Sequence, residues 1–272
     1  MRYRGSTNVF SGRRLLRSGQ RLRTIVRYHF FGSLRQVGGA CSVNVCSGLR
    51  LFFLGLYAVH RPVIVVDQRT VVGGICHQLF GGVHIVRQLE AQGAEKPTHL
   101  FLQAGVGALA GAVTGFFADY YKDNRPIITI VEPDKADCIY KTADANDGRI
   151  HTVGGDLNTI MAGLACGEPC TIGWNVLHDH ADHFISMSDN YAELGMRTLG
   201  LPLGNDQVIV SGESGAATMG FVTEILSNPE HKELKEALQL NEDSIIICIS
   251  TEGDTDKENY RKIVWEGYYP SY

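Results

Sequence analysis

The chain contains 272 residues, 44% of them hydrophobic and 20% charged, and carries a formal net charge of −4 at pH 7. This composition is typical of a globular protein with a sizeable core, and it excludes a disordered or fibrous chain. The longest apolar run, at 51–59, is too short to span a bilayer, so we expect no membrane association. Seven cysteines without a CxxC pair predict reduced thiols and a cytoplasmic location.

The charges are divided unevenly along the chain. Residues 1–83 contain twelve Arg, no Lys and a single acidic residue, Asp67. Residues 1–36, which contain no acidic residue, are typical of a mitochondrial transit peptide or of a basic arm that contacts nucleic acid. The whole segment is typical of a GC-rich gene translated in the wrong reading frame. We favour the third interpretation because the bias continues to residue 83. We therefore predict an aberrant Arg-rich leader at 1–83, a native domain at 84–272 and no nucleic-acid partner.

Strands and helices alternate along the native domain. The patterns predict strands at 100–102, 127–131, 150–153, 184–187, 208–210 and 244–249, with Val63–Asp67 as an earlier candidate. They predict helices from residue 85 to about Gly93, from the glycine turn at 105–107 to about Tyr121, at 157–166 with Asp156 as its cap, at 172–182, at 188–199, from 211–216 to about residue 226, at 231–240 and around Tyr260 and Trp265. This alternation predicts an α/β fold with a largely parallel sheet flanked by helices.

The glycine turn that follows the strand at 100–102 is the strongest local signal for a ligand. Glycine lets the backbone approach an anion, and a helix that begins directly afterwards offers unpaired N–H groups. The pattern Gly105-x-Gly107-x-x-Ala110, with Glu132 closing the next strand, also fits a loose dinucleotide fingerprint. A site for a single phosphate group and a tight turn without a ligand remain the alternatives at this point.

Ligands of open parallel sheets bind at the carboxyl ends of the strands. Three loops rich in small and polar residues are predicted to meet there, at 104–108, 211–216 and 250–256. A cofactor ring in that position needs hydrogen-bonding partners, and the candidates are Glu213, Ser214, Ser250 and Thr251. Ser214 has an alternative role as the cap of its own helix.

Two further clusters have simpler interpretations. His178 and Asp182 are spaced to share a helix face, which suits a metal ligand pair, but we interpret the surrounding polar stretch as a solvated face and predict no metal site. Cys166 and Cys170 are interpreted as buried small hydrophobic residues.

Four longer motifs carry a resemblance to a known family. They lie at 130–140, 153–169, 210–216 and 249–256, and they include Glu-Ser-Gly-Ala at 213–216 and Ser-Thr-Glu-Gly-Asp at 250–254. These four motifs, in this order, resemble those of diaminopropionate ammonia-lyase. That family belongs to the fold type II pyridoxal-phosphate enzymes of the tryptophan synthase β type, together with threonine dehydratase and serine racemase. The resemblance covers residues 84–272.

The resemblance implies a homodimeric enzyme that performs α,β-elimination on 2,3-diaminopropionate, giving pyruvate and ammonia. It implies that pyridoxal 5′-phosphate is bound through its phosphate by Gly105, Val106, Gly107 and Ala108. Thr251 would bond the pyridine nitrogen, which would leave that nitrogen unprotonated. Glu213 and Ser214 match only approximately a stretch that lines the cofactor in relatives.

The chain departs from the family at the catalytic lysine. The family's Schiff-base lysine lies in an N-terminal motif, whereas the first lysine here is Lys96, and Asp67 matches the family's nearby aspartate motif poorly. We therefore expect residues 84–272 to be the C-terminal part of such a lyase, with its catalytic residues unknown and little or no activity of this chain alone. A catalytically dead cofactor-binding remnant and a nicotinamide-dependent oxidoreductase are the alternatives.

Overall fold

The structure is a computed structural model that describes residues 1–5, 50–54, 63–67, 85–87, 89–90 and 96–268. The strands in these ranges are β1 Arg2–Gly5, β2 Arg50–Leu54, β3 Val63–Asp67, β4 His99–Gln103, β5 Ile127–Pro133, β6 His183–Met187 and β7 Ile246–Ser250. They form one sheet in the order β1-β6-β5-β4-β7-β3-β2. The neighbours among β6, β5, β4, β7 and β3 are parallel, and β1 and β2 add antiparallel edges. The predicted α/β fold with a largely parallel sheet is confirmed.

Helices cover both faces of this sheet. Their bounds are α1 Ala108–Tyr121, α2 Cys138–Ala145, α3 Thr171–His180, α4 Asp189–Gly200, α5 Glu213–Ser227, α6 Lys232–Ala237 and α7 Lys257–Val264. Residues 85–87 and 89–90 are also helical, while Gly93, where we expected that helix to end, lies outside the described residues. No helix in the described ranges combines the length and apolar character needed to cross a bilayer.

Alternating side chains of the central strands form two cores. Phe101 and Cys248 point to one face, where they pack with apolar residues of α4, α5 and α7. Leu100, Leu102 and Ile247 point to the other face, where they pack with residues of α1, α2 and α3. Because both faces of these strands are buried, the strands are continuous apolar runs rather than alternating ones.

The order of the strands reverses around β4. After β4 the chain passes through α1 to β5 and on to β6, whereas β7 returns to the opposite side of β4. Pairing between β4 and β7 extends only from His99–Ile246 to Phe101–Cys248, although β4 remains paired with β5 as far as Gln103. The carboxyl ends of β4 and β7 therefore part, and this kind of switch point is where open α/β sheets bind ligands.

The predictions for 150–166 are wrong in this structure. Residues 150–153 form no strand, and in place of a helix at 157–166 there is only a short 3₁₀ turn, Ala162–Leu164. Leu157 has a positive φ of 49°, and the N–H of Ile160 donates to the Asp189 carboxylate at 3.2 Å. Asp156 accepts from the N–H of Asn158 at 3.2 Å and so closes a local turn instead of capping a helix. A distant carboxylate thus captures the backbone that helical periodicity had assigned to a helix.

Two smaller predictions also need correction. Residues 208–210 form no strand. The N–H of Ile209 donates to the Leu199 carbonyl at 2.9 Å rather than to a neighbouring strand, and Val208 is 62% exposed. The last helix, α7, contains Tyr260 but ends at Val264, so Trp265 follows it. Most of the predicted leader at 1–83 lies outside the described residues, and its described parts β1, β2 and β3 are strands.

Helices α4 and α5 pack closely enough to bury an acid. A Cβ on Gly220 would lie 1.7 Å from the Tyr191 carbonyl oxygen, so only glycine permits this contact. On the same face of the sheet, α4 carries Glu193, which is 2% exposed and whose Oε2 has no hydrogen-bond partner among the described residues. Burial raises the pKa of Glu193 to about 7, against the opposing charge of Arg197.

This buried acid predicts a pH-dependent stability. Between about pH 4.5 and 7 the folded chain binds more protons at Glu193 than the unfolded chain does, so the free energy of unfolding falls as pH rises and levels off above pH 7. Glu193→Gln should reduce the fall in the free energy of unfolding between about pH 4.5 and 7 by on the order of 1 kcal/mol.

The measurement is urea denaturation at several pH values. Glu236→Gln is the matched control, because the Glu236 side chain is 68% exposed and its substitution should leave the slope unchanged. A slope that survives Glu193→Gln intact would contradict this assignment.

Candidate functional site

The turn between β4 and α1 is built as an anion cradle. The N–H of Ala104 still donates to the Val131 carbonyl at 2.9 Å, and Gly107 then turns the chain into α1 with a φ of 83°. Within the described part of the chain, the N–H groups of residues 105–108 donate no hydrogen bond. Four free donors at a helix N-terminus favour binding of an anion such as a phosphate group.

The cradle is supported by α3. The N–H of Cys170 donates to the Val106 carbonyl at 2.7 Å. Gly173 packs so closely that a Cβ there would lie 2.6 Å from the Gly107 carbonyl oxygen. Since their carbonyl groups are held from behind by α3, Val106 and Gly107 have a defined conformation rather than that of a free surface loop. Cys170 and Cys166 are partly exposed, in contrast to the burial that we expected.

The 3₁₀ turn Ala162–Leu164 connects the cradle to α5. A Cβ on Gly105 would lie 3.1 Å from Cys166 Sγ and 3.3 Å from the Gly163 carbonyl oxygen. The N–H of Gly163 donates to Ser214 Oγ at 3.1 Å. The turn therefore contacts two of the three predicted loops at once, and Ser214 binds this turn instead of capping its own helix.

Glu252 closes the N-terminus of α5. Its Oε1 accepts hydrogen bonds from the N–H groups of Ser214 at 2.6 Å and Gly215 at 3.2 Å. A carboxylate in this position is stabilised by the helix dipole and satisfies donors that the helix leaves unpaired. The loop that follows β7 is thereby fastened to the start of α5.

Glu213 is hydrogen-bonded to α7. Its Oε1 accepts a hydrogen bond from the Asn259 side chain of α7, and burial raises the pKa of its carboxyl group. Ser250 is likewise engaged elsewhere, since its hydroxyl donates to Ser211 Oγ at 2.9 Å. Of the predicted ring partners, Thr251 is the one whose side chain is hydrogen-bonded across the parted ends of β4 and β7 in the described residues, through Gln103.

Thr251 is joined to β4 by a side chain that the sequence did not single out. Gln103 Nε2 donates to Thr251 Oγ1 at 3.0 Å and to the Ile249 carbonyl at 2.8 Å. The available signal was a lone polar residue at the end of an apolar strand. The three loops at 104–108, 211–216 and 250–256 therefore converge through Gln103, Gly163 and Glu252, as their position at the strand ends predicted.

Glu132 does not serve as a ribose-binding acid. Its carboxylate accepts from the N–H groups of Ile139 at 3.0 Å and Tyr140 at 2.6 Å, at the N-terminus of α2. It is 1% exposed, and burial raises its pKa well above the usual range. Because the Glu132 carboxylate is buried and bound to the N-terminus of α2, it is not available to bind a ribose. The ribose-binding role that the dinucleotide interpretation gave to Glu132 is therefore wrong.

His178 and Asp182, which were considered as a metal-ligand pair, each bind a neighbouring side chain instead. His178 Nδ1 lies 3.0 Å from the Asp179 carboxylate, which raises the pKa of the imidazole. Asp182 forms a two-pronged ion pair with Arg125, at 2.5 and 2.8 Å. Among residues 96–268 and the shorter described segments, no group of three His, Cys, Asp or Glu side chains is arranged to hold a metal ion.

These features define an α/β protein with an anion-binding glycine turn at the switch point of its sheet. The model of the pyridoxal-phosphate dependent enzyme family matches residues 67–252. The chain belongs to this family.

Within this family, the chain is similar to diaminopropionate ammonia-lyases. Diaminopropionate ammonia-lyase of Escherichia coli (strain K12) is 52% identical over 182 residues, which are 67% of this chain and 45% of that protein. The crystal structure of the holo form of the Escherichia coli enzyme aligns with a TM-score of 0.66 and 47% identity, over 72% of this chain and 48% of that chain. Maize serine racemase, at 20% identity and a TM-score of 0.55, over 72% of this chain and 51% of that chain, shares the fold. The chain spans about half the length of the curated relatives that it matches.

The residues present fit the family's cofactor. Four free N–H groups suit a phosphate, and the partly exposed hydroxyl of Thr251 can bond a ring nitrogen. The buried Oε1 of Gln103, beside this crevice, has no partner among the described residues. This donor set suits a phosphorylated heteroaromatic ring better than a metal ion.

Gly107 should be the most sensitive residue of the cradle. Alanine there would have to keep a φ of 83° and place its Cβ 2.7 Å from Ile139 Cδ1. We expect Gly107→Ala to weaken pyridoxal phosphate binding by about tenfold or more and to destabilise the fold by about 1–3 kcal/mol. A fluorescence titration with the cofactor, combined with thermal melting, measures both effects.

Gly148→Ala is the matched control for this prediction. Gly148 has a similar φ of 77°, but no atom lies within 4 Å of a Cβ built there. Its substitution introduces the same backbone strain without any steric contact, so cofactor affinity should not change. Equal affinities of Gly107→Ala and Gly148→Ala would contradict the assignment of the cradle.

Proposed function

We propose that this chain binds pyridoxal 5′-phosphate and corresponds to the C-terminal part of a carbon–nitrogen lyase that acts on 2,3-diaminopropionate. The observation that carries this proposal is a combination of two features at the parted ends of β4 and β7. Free N–H groups at 105–108 follow β4, and the Thr251 hydroxyl follows β7. The name of the Escherichia coli relative supports the substrate, because that protein is a diaminopropionate ammonia-lyase. The reaction would be α,β-elimination, with pyruvate and ammonia as products.

Each group in the crevice has a role in holding the cofactor. Gly105, Val106, Gly107 and Ala108 donate their N–H groups to the phosphate at the positive end of α1. Thr251 donates its hydroxyl proton to the pyridine nitrogen and, being neutral, does not favour a protonated ring. When bound, pyridoxal phosphate supplies an electron sink for the electrons left when the substrate Cα loses its proton.

Ser214 has an indirect role in this proposal. Its Oγ accepts from Gly163, whose carbonyl packs beneath Gly105, so it holds the floor of the cradle. Glu213, by contrast, is hydrogen-bonded through its Oε1 to Asn259 of α7. We therefore assign Ser214 to the support of the site and place Glu213 outside it.

The positions of the lysines support a chain that binds the cofactor but catalyses little turnover. The sequence has no lysine before Lys96, whose Nζ lies over the Tyr121 ring at 5.5 Å from its centre. Others form ion pairs at the surface, such as Lys122 with Asp119 and Lys262 with Glu258. The recorded contacts of these three lysines do not involve the residues of the crevice. The chain then retains the cofactor site of a lyase without the covalent anchor that the reaction uses.

The remaining assignments extend this proposal. Residues 84–272 constitute the lyase portion and 1–83 an aberrant leader. The exposed apolar side chains of Leu201, Leu203 and Val208, which are 50%, 61% and 62% exposed, support self-association as a homodimer. The described cysteines, Cys138, Cys166, Cys170 and Cys248, are all free thiols, which supports a cytoplasmic location.

Absorbance of the purified chain with pyridoxal phosphate tests the proposal. We expect a saturable change in the visible band that borohydride does not fix to a lysine, and pyruvate release from 2,3-diaminopropionate on the order of 10³-fold slower than by the full-length Escherichia coli enzyme. That enzyme, assayed in parallel, is the control.

The two parts of the proposal can fail separately. Absence of any saturable spectral change would overturn cofactor binding. A borohydride-stable adduct at one lysine together with rapid pyruvate release would contradict the low turnover and show that another lysine replaces the missing one.

A further inference from the structure

Gln103 is a buried polar residue that belongs to neither hydrophobic core. It ends β4 and is 2% exposed, directly after Phe101 and Leu102, which pack into the two cores. Its Oε1 has no hydrogen-bond partner among the described residues. A buried acceptor without a partner disfavours folding, so packing alone does not account for an amide in this position.

The orientation of this amide is determined by β7. Gln103 Nε2 lies 2.8 Å from the carbonyl oxygen of Ile249. The flipped amide would set two acceptors against each other, so the nitrogen must face that carbonyl. The second N–H of the same nitrogen then points to Thr251 Oγ1, at 3.0 Å. Both donors of the amide are thus used, and both are directed at the end of β7.

The bridge lies where the sheet opens. Backbone pairing between β4 and β7 ends at Phe101 and Cys248, two residues before either strand ends. The Gln103 side chain spans this gap in place of a ladder hydrogen bond. It therefore sets the position of the Thr251 hydroxyl relative to the cradle that begins at Gly105.

The contact also determines where the Thr251 proton points. A hydroxyl has one proton and two acceptor lone pairs. Because Thr251 Oγ1 accepts from Gln103, its proton is directed away from that amide, and within the described residues it is donated to no acceptor. Thr251 is partly exposed, so this proton is available to a ligand in the crevice.

The carboxylate next in sequence to Thr251 is engaged with the start of α5. Glu252, next in sequence, is held by the N–H groups of Ser214 and Gly215 through its Oε1. A ring nitrogen at Thr251 therefore meets a hydroxyl donor rather than a carboxylate acceptor.

We propose that Gln103 is a positioning residue that bridges the parted ends of β4 and β7 and aims the Thr251 proton at the pyridine nitrogen of the cofactor. This inference rests on the proposed cofactor site. With Gln103 as its donor, the Thr251 hydroxyl directs its own proton into the crevice, and this favours the unprotonated form of a ring nitrogen placed there. Loss of the amide would free the hydroxyl to turn to the Ile249 carbonyl.

The test uses pyridoxine 5′-phosphate labelled with ¹⁵N in its ring. This alcohol keeps the phosphate and the pyridine nitrogen but cannot form a Schiff base with any lysine. The ¹⁵N resonance and the dissociation constant are measured for the full chain and for Gln103→Met, Thr251→Val and the double variant. The resonance reports directly on protonation and hydrogen bonding of the nitrogen, which a merely structural residue would not alter.

The wild type should show a neutral, hydrogen-bonded ring. Gln103→Met and Thr251→Val should each move the resonance toward that of a neutral ring without a donor and weaken affinity about tenfold. In the Thr251→Val background, Gln103→Met should have no further effect, since the two residues act through one hydrogen bond. Gln103→Glu, whose carboxylate would accept the Thr251 proton, is the second variant and should move the resonance in the same direction.

Circular dichroism and thermal melting verify that each variant is folded. An effect of Gln103→Met that persists undiminished in the Thr251→Val background would overturn the role of Gln103. A wild-type resonance in the pyridinium range would overturn it without any substitution. Failure of the wild type to bind the probe would overturn the cofactor assignment itself, and the role of Gln103 with it.

Discussion

The parting of β4 and β7 is the constraint on which the site depends. These strands are neighbours in the centre of the sheet, yet their pairing ends at Phe101 and Cys248. The chain leaves β4 toward one side and returns in β7 on the other, so the carboxyl ends of the two strands part. A crevice at this point needs polar groups that close its floor without filling it, and Gln103 provides them by reaching Ile249 and Thr251.

The other elements of the site hold its walls in place. Helix α3 supports the cradle through Cys170 and Gly173, and the 3₁₀ turn Ala162–Leu164 links the cradle to Ser214. Glu252 fastens the start of α5 to the loop after β7. Backbone N–H groups that these contacts do not use, at 105–108, are left for the ligand. The site is thus defined by which donors the fold satisfies and which it leaves free.

The sequence could predict those parts of the structure whose causes are local. A glycine turn between an apolar strand and a small-residue helix identified the cradle at 105–108, and its position at a strand end predicted the convergence with Thr251. Residues 157–166 were mispredicted because Asp189, distant in sequence, captures their backbone. The roles of Glu213 and Glu132 could not be predicted either, because each carboxylate is directed by a partner, Asn259 or the start of α2, that only the tertiary fold brings close.

The central claim is that the crevice between β4 and β7 is a cofactor site with the phosphate on the cradle. A crystal structure of the chain grown with pyridoxal phosphate tests this most directly. The account predicts phosphate density within hydrogen-bonding distance of the N–H groups of Gly105–Ala108 and a ring nitrogen at Thr251 Oγ1. Density for the cofactor elsewhere, or a cradle occupied with the ring turned away from Thr251, would contradict it.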